Sequence, residues 1–156
     1  MVCVFRKVLY PTDFSDPIRI TLKYVKKLKE AGSEEVVILH VVEKGIIEAY
    51  EEAFAWAGKD VVAETEKLDE KLIEKAKKQM ENDVAELEGL GFSVKIEIRI
   101  GNPWEEILKV ADEEDVSLIV MGAHGCGRLS CELEKLIGST AENVVRHSKM
   151  PVLIVR

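Results

Sequence analysis

Gly122 and Gly125 follow a short apolar run, Ser117 to Met121, and Gly138-Ser139-Thr140 stands immediately before a helical pattern. Glycine lets the backbone approach a ligand closely and adopt positive φ. A helix start presents unpaired N–H groups and a partial positive charge, which suit a phosphate. These residues therefore point to a phosphate site built mainly from backbone. Ser139-x-x-Glu142 also matches a capping box, in which Glu142 reaches back to the cap N–H and no ligand is needed. The glycine pair just upstream shifts the balance towards phosphate. His124, between the two glycines, is in reach of a phosphate or a metal-bound water. Asp13 follows Pro11-Thr12 at the end of another apolar run, where a carboxylate serves either a ligand or a local turn bond.

Other chemistries find less support. No G-x-x-x-x-G-K-[ST] is present, which excludes a P-loop. Gly125-Cys-Gly127-Arg-Leu-Ser130 starts like a dinucleotide fingerprint, but Ser130 stands where the third glycine belongs. His40 lies inside an apolar strand and reads as a hydrogen-bonded core residue, and His147 as a partner of a helix C-terminus. No pair of histidines has a zinc-ligand spacing. Cys3, Cys126 and Cys131 follow no metal spacing either. Cys126 and Cys131 lack a base partner and read as small residues beside the loop. Phosphoryl transfer needs a positioned nucleophile and charge-neutralising cations. Arg128 is the one candidate cation near the glycines, and no base accompanies it, so the site looks made for binding.

These residues need strands and helices to place them. Lys7 to Tyr10 is a short apolar strand, followed by a helix that Ser15 or Asp16 caps, with Pro17 in its first turn. Ile18, Leu22, Val25 and Leu28 share one face of that helix. Val36 to Val42 is nearly continuous in apolar residues, as expected of a parallel strand buried on both faces. Residues 46 to 60 fit an amphipathic helix or a packed loop. A long charged helix runs from about Val61 to Leu87, with Leu68, Leu72, Ile73, Ala76, Met80, Val84 and Leu87 as its buried stripe. Val94, Ile96, Ile98 and Ile100 alternate inward against Lys95, Glu97 and Arg99 outward, as in a strand near an edge. Asn102-Pro103 starts a helix, Val116 to Met121 is a strand, and Val152 to Val155 is the last. Strands separated by helices give one α/β domain over residues 1–156, a parallel sheet covered on both faces. Ligands of such sheets sit beyond the strands' carboxyl ends. Pro11-Thr12-Asp13, the segment after Val41-Val42, and Gly122 to Gly125 all fall there.

Composition narrows the partners. The net charge of −7 argues against a nucleic-acid surface. The small basic groups Lys26, Lys27, Lys29 and Lys75, Lys77, Lys78 read as solvated helix faces. No segment approaches membrane-spanning length and no signal peptide begins the chain, so a reduced, cytoplasmic setting and no membrane partner are expected. Pro151 to Val155 is a hydrophobic terminal strand whose edge invites a second copy. The alternative is an internal strand covered by the segment from Ile46 to Trp56.

The chain resembles the universal stress protein family, in its ATP-binding branch. The resemblance rests on KVLYPTDFS, VVILHVVE, IGNPWEEIL and LIVMGAHG…IGSTAENVVRHSKMPVLIV, and covers nearly the whole sequence. The family's G-x2-G-x9-G-[ST] motif matches at Gly122 and Gly125, but Gly138-Ser139 arrives after twelve intervening residues, 126 to 137. Leu129, Leu133, Leu136 and Ile137 have helical spacing, so a longer local turn is expected to absorb the excess and leave Gly138 in place. The resemblance implies a Rossmann-like three-layer fold with a five-stranded parallel sheet in the order 3-2-1-4-5. It implies that Asp13 lies against the nucleoside, with Pro11 and Thr12 shaping its wall and Val41 on adenine. Gly122 and Gly125 would approach the ribose and phosphates, and Gly138, Ser139 and Thr140 would donate to the phosphate chain. It also implies a two-fold dimer through Val152 to Val155.

The expected function is a stress-response module that binds ATP, ADP or AMP, with magnesium or manganese carried on the phosphates and hydrolysis slow or absent. Two alternatives stand beside it. One is a dimeric interaction protein whose longer loop no longer holds nucleotide. The other is a weak magnesium-dependent ATPase.

Overall fold

Nearly every side chain from Val36 to Leu39 is shut off from solvent, because this strand has neighbours on both edges and helices on both faces. The computed structural model describes residues 4–14, 19–123 and 137–156. Within them the strands are β1 (Lys7–Pro11), β2 (Glu35–Glu43), β3 (Ser93–Gly101), β4 (Leu118–Gly122) and β5 (Val152–Val155). They form one sheet in the order β3-β2-β1-β4-β5, and every pairing is parallel. Leu9 stands opposite Val37 on one side and Ile119 on the other. The helices are α1 (Ile20–Lys27), α2 (Lys44–Trp56), α3 (Val61–Gly89), α4 (Pro103–Glu113) and α5 (Ser139–His147). The result is the three-layer, Rossmann-like α/β architecture expected from the sequence.

Strand alternation sorts the core into two halves. Val8, Tyr10, Val36, Ile38, Leu118 and Val120 point to one face and meet Leu22 and Val25 of α1 and Met80 and Leu87 of α3. Leu9, Val37, Leu39, Ile119 and Met121 point to the other and meet Ile107, Val110 and Ala111 of α4 and Ala141 and Val144 of α5. Charge ties α1 to α3: Arg19 bonds Glu86 at 2.6 Å and also pairs with Asp83, and Lys26 shares Glu86.

Several local expectations change. The helix caps at Ser15, Asp16 and Pro17 lie outside the described residues, and α1 begins at Ile20 behind Arg19. The ambiguous stretch from residue 46 is helical, as α2. On β3, Val94 and Ile98 pack on the core while Ile96 and Ile100 stay largely exposed. An edge strand has a neighbour on one side only, so its inward row is covered in part. Its charged row does not simply face water. Arg99 reaches Glu113 at 2.6 Å, and Lys95 pairs with Glu114 at the end of α4. Glu114 also takes a 3.0 Å bond from Lys7 of β1. Lys95 first, then Lys7, hold the Glu114 carboxyl down to about 2. β5 pairs with β4 alone, so its outer edge carries no strand among the described residues. The alternative of an internal β5 does not hold, and α2 packs instead on α3 and β2.

A cleft over the strand ends

β1 and β4 end close together while β2 runs on from Leu39, the partner of Pro11, to Glu43, and the turns that leave these strands enclose a cleft of about 590 Å³. Parallel strands all end on the same side, and the sheet's order reverses around β1, which opens a crevice there. Pro11, Thr12 and Asp13 supply the floor from β1, Val41 from β2 and Gly122 from β4, while Gly138, Ser139 and Thr140 supply a wall from α5. Eight of the ten residues singled out from the sequence thus meet at one place. His124 and Gly125 lie outside the described residues, as do Cys126, Arg128 and Cys131.

The turn after β1 is tied to β2. Thr12 N–H donates to the Leu39 carbonyl at 2.8 Å, and the Thr12 carbonyl accepts from His40 Nδ1 at 2.8 Å. A carbonyl only accepts, so Nδ1 carries the proton in this contact. Phe14 N–H donates to Thr12 Oγ1 at 3.2 Å, and the Phe14 ring lies 4.6 Å from the His40 ring. Phe14 takes a positive φ of 64°, an uncommon state for a side-chain-bearing residue. Asp13 sits exposed between these two anchored residues. His40 is hydrogen-bonded as expected, yet it is half-buried and lines the cleft rather than the deep core.

The α5 wall is fixed by one backbone contact. Gly138 N–H donates to the Ala123 carbonyl at 2.7 Å, which holds the helix start against the end of β4. Gly138 is the cap residue, extended at φ −64° and ψ 157°, and its carbonyl accepts the first helical bond, from Glu142 N–H at 2.9 Å. The N–H groups of Ser139, Thr140 and Ala141 precede that bond, and their residues border the cleft. The capping box is therefore not formed. Because Gly138 takes the cap position, Ser139 falls inside the helix, and Glu142 turns to Arg146 at 2.8 Å instead. At the other end of α5, His147 Nδ1 donates to the Asn143 carbonyl at 2.9 Å and the ring stacks on Trp104 at 4.9 Å.

Sequence reasoning missed the third wall. Leu72, Lys75, Ala76 and Gln79 of α3 and Ile46 of α2 also border the cleft. Leu72 and Ala76 carry the expected apolar stripe, but Lys75 is a cleft residue rather than part of a merely solvated face. Among the described residues, no three His, Cys, Asp or Glu side chains are grouped to hold a metal ion, and no helix is long and apolar enough to cross a membrane.

Comparison with known proteins places this geometry. The model of the universal stress protein family matches residues 5–156. Universal stress protein MJ0577 of Methanocaldococcus jannaschii is 43% identical across 100% of this chain and 98% of its own length. The solved structure of MJ0577 aligns at a TM-score of 0.78 and 42% identity, covering 97% of this chain and 96% of that one. A universal stress protein of Archaeoglobus fulgidus, solved in complex with dAMP, shares the fold at a TM-score of 0.62 and 20% identity, covering 98% and 99%. By its family match and its full-length relative, the chain belongs to the universal stress protein family.

Proposed function

We propose that the cleft binds an adenine nucleotide, with ATP as the principal ligand and ADP or AMP as its breakdown states. The chain would act as a regulatory module of the stress response, one domain over residues 1–156 working in the cytoplasm. The single observation that carries this reading is the Gly138–Ala123 bond. It sets the free N–H groups at the start of α5 beside Gly122, where a phosphate chain would be met by backbone donors and a helix dipole.

In this reading Asp13 meets the nucleoside, Pro11 and Thr12 form its wall and Val41 touches adenine. Gly122, His124 and Gly125 meet the ribose and phosphates, and Gly138, Ser139 and Thr140 donate to the phosphate chain. Magnesium or manganese would arrive on the phosphates with its own waters, and the carboxylates of Asp13 and Glu43 are the lining groups suited to those waters. The described lining offers no paired acid and base poised over a phosphate, so hydrolysis is expected to be slow or absent. The outer edge of β5 would pair with a second copy.

Isothermal titration of nucleotide-stripped protein with ATP and magnesium tests the reading. Micromolar binding that disappears in a folded Gly138→Val variant supports it. The twelve residues between Gly125 and Gly138 favour a second reading, an interaction protein without a ligand. A wild-type protein that gives no heat with ATP, ADP or AMP would establish that one instead.

A further inference from the structure

The cleft is bounded on one face of the sheet by the start of α5 and on the opposite face by α3. Its described lining carries two carboxylates, Asp13 and Glu43, and a single ammonium, Lys75. Among the described lining side chains, Lys75 is the one ammonium that can offset these two carboxylates as a polyanion enters. The helix start opposite adds only about half a charge. Most other cations near the sheet are already engaged: Lys7 and Lys95 with Glu114, Arg99 with Glu113, Arg19 and Lys26 with Glu86. Lys75 has no ion pair or hydrogen bond among the described residues. It shares its helix face with Leu72 and Ala76, which border the same cleft. A lysine is a compact charge with three donors on a flexible stem, able to follow a phosphate chain without fixed geometry.

Resting on the nucleotide reading above, we infer that Lys75 is a ligand-contacting residue: its ammonium meets the phosphate chain from the α3 wall, across from the start of α5. The ligand is clamped between a side-chain cation and a helix N-terminus. Affinity then rises with the number of phosphates, because the Lys75 contribution scales with ligand charge while Val41 and Asp13 address the nucleoside.

The test is calorimetric titration of ATP, AMP and adenosine into wild type, Lys75→Met, Lys75→Arg and Lys78→Met, each at low and moderate salt. Methionine and arginine are helix formers comparable to lysine, and Lys75 is solvent-exposed, so thermal melts of all four proteins should agree. Lys78 is an exposed lysine of α3 outside the cleft and controls for the overall charge change. The expected result is about tenfold weaker ATP binding in Lys75→Met, a smaller loss for AMP and none for adenosine. Lys75→Arg should retain most of the affinity and Lys78→Met all of it. Unchanged ATP affinity in Lys75→Met would remove Lys75 from the site and leave the nucleotide reading intact. Equal losses for ATP and adenosine would reduce Lys75 to wall packing and overturn the charge role. Equal losses in Lys75→Met and Lys78→Met would do the same by making the effect a general field. A wild type that binds none of the three ligands would overturn both readings together.

Discussion

The N–H of Gly138 meets the carbonyl of Ala123 at 2.7 Å, joining the start of α5 to the end of β4 across the fourteen residues 124 to 137. The intervening chain is longer than the family motif, and this bond closes its two ends. On the nucleotide reading, this closure is what sets the start of α5 beside Gly122.

Replacing Gly138 by proline breaks that bond. The residue already lies at φ −64°, within proline's range, but the donor is lost and the ring Cδ takes the place of the N–H that faces the Ala123 carbonyl. Gly138→Pro should cost more than the ~1 kcal/mol of a lost hydrogen bond and lower the thermal midpoint by more than about 2–4 °C. ATP affinity should fall well beyond what the stability loss explains. A variant with wild-type melting and wild-type ATP affinity would show the bond to be incidental.

His40 gives a second test. In His40→Phe the ring that faces Phe14 is kept, but the Thr12 carbonyl loses its partner. Stability should drop by about 1 kcal/mol, and nucleotide affinity should drop with it as the turn carrying Asp13 loosens. Denaturant unfolding and titration on the same preparation would read both, and loss of neither would dismiss the anchor.

Acid should act through Glu114. Its folded carboxyl titrates near 2, against an ordinary value of 4.5, because Lys95 and Lys7 hold it charged. A depressed carboxyl contributes its stability above 4.5 and loses it as pH falls from 4.5 towards 2. Solvent screening limits the amount to about 1 kcal/mol. Glu114→Gln should be less stable than wild type at pH 7 by that amount, and the two unfolding curves should converge as pH approaches 2. A constant gap at every pH would contradict this linkage.

The outer edge of β5 predicts self-association. Light scattering after size exclusion at micromolar concentration should give twice the 17.5 kDa chain mass. A monomer at that concentration would remove the dimer.

The sheet was legible because its strands are unlike anything else in the chain. The run from Val36 to Val42 has too few polar residues for a surface helix, and the stripe from Leu68 to Leu87 has a clear helical period. The residues of α2 were not legible, since Tyr50 and Trp56 are apolar but exposed, Trp56 at 92%. Periodicity reports burial, and a helix whose apolar residues face water gives a mixed signal. The strand-end residues of the cleft were readable from where apolar runs stop. Lys75 was not, because sequence shows which helix face is polar but not which part of that face overhangs a cavity. The capping of α5 was not legible either. Ser139-x-x-Glu142 has the right spelling, and the Ala123 carbonyl decided which residue became the cap.

Glu114 ties Lys7, the first residue of β1, to Lys95, near the start of β3, so it braces two strands that are not neighbours. This brace lies at the amino ends of the strands, while the cleft lies at their carboxyl ends. On the nucleotide reading, the two ends of one sheet answer to different variables: proton concentration acts at the braced end and ligand concentration at the open end. Robustness and responsiveness can then be adjusted separately, by changing a surface charge at one end without disturbing a backbone donor at the other.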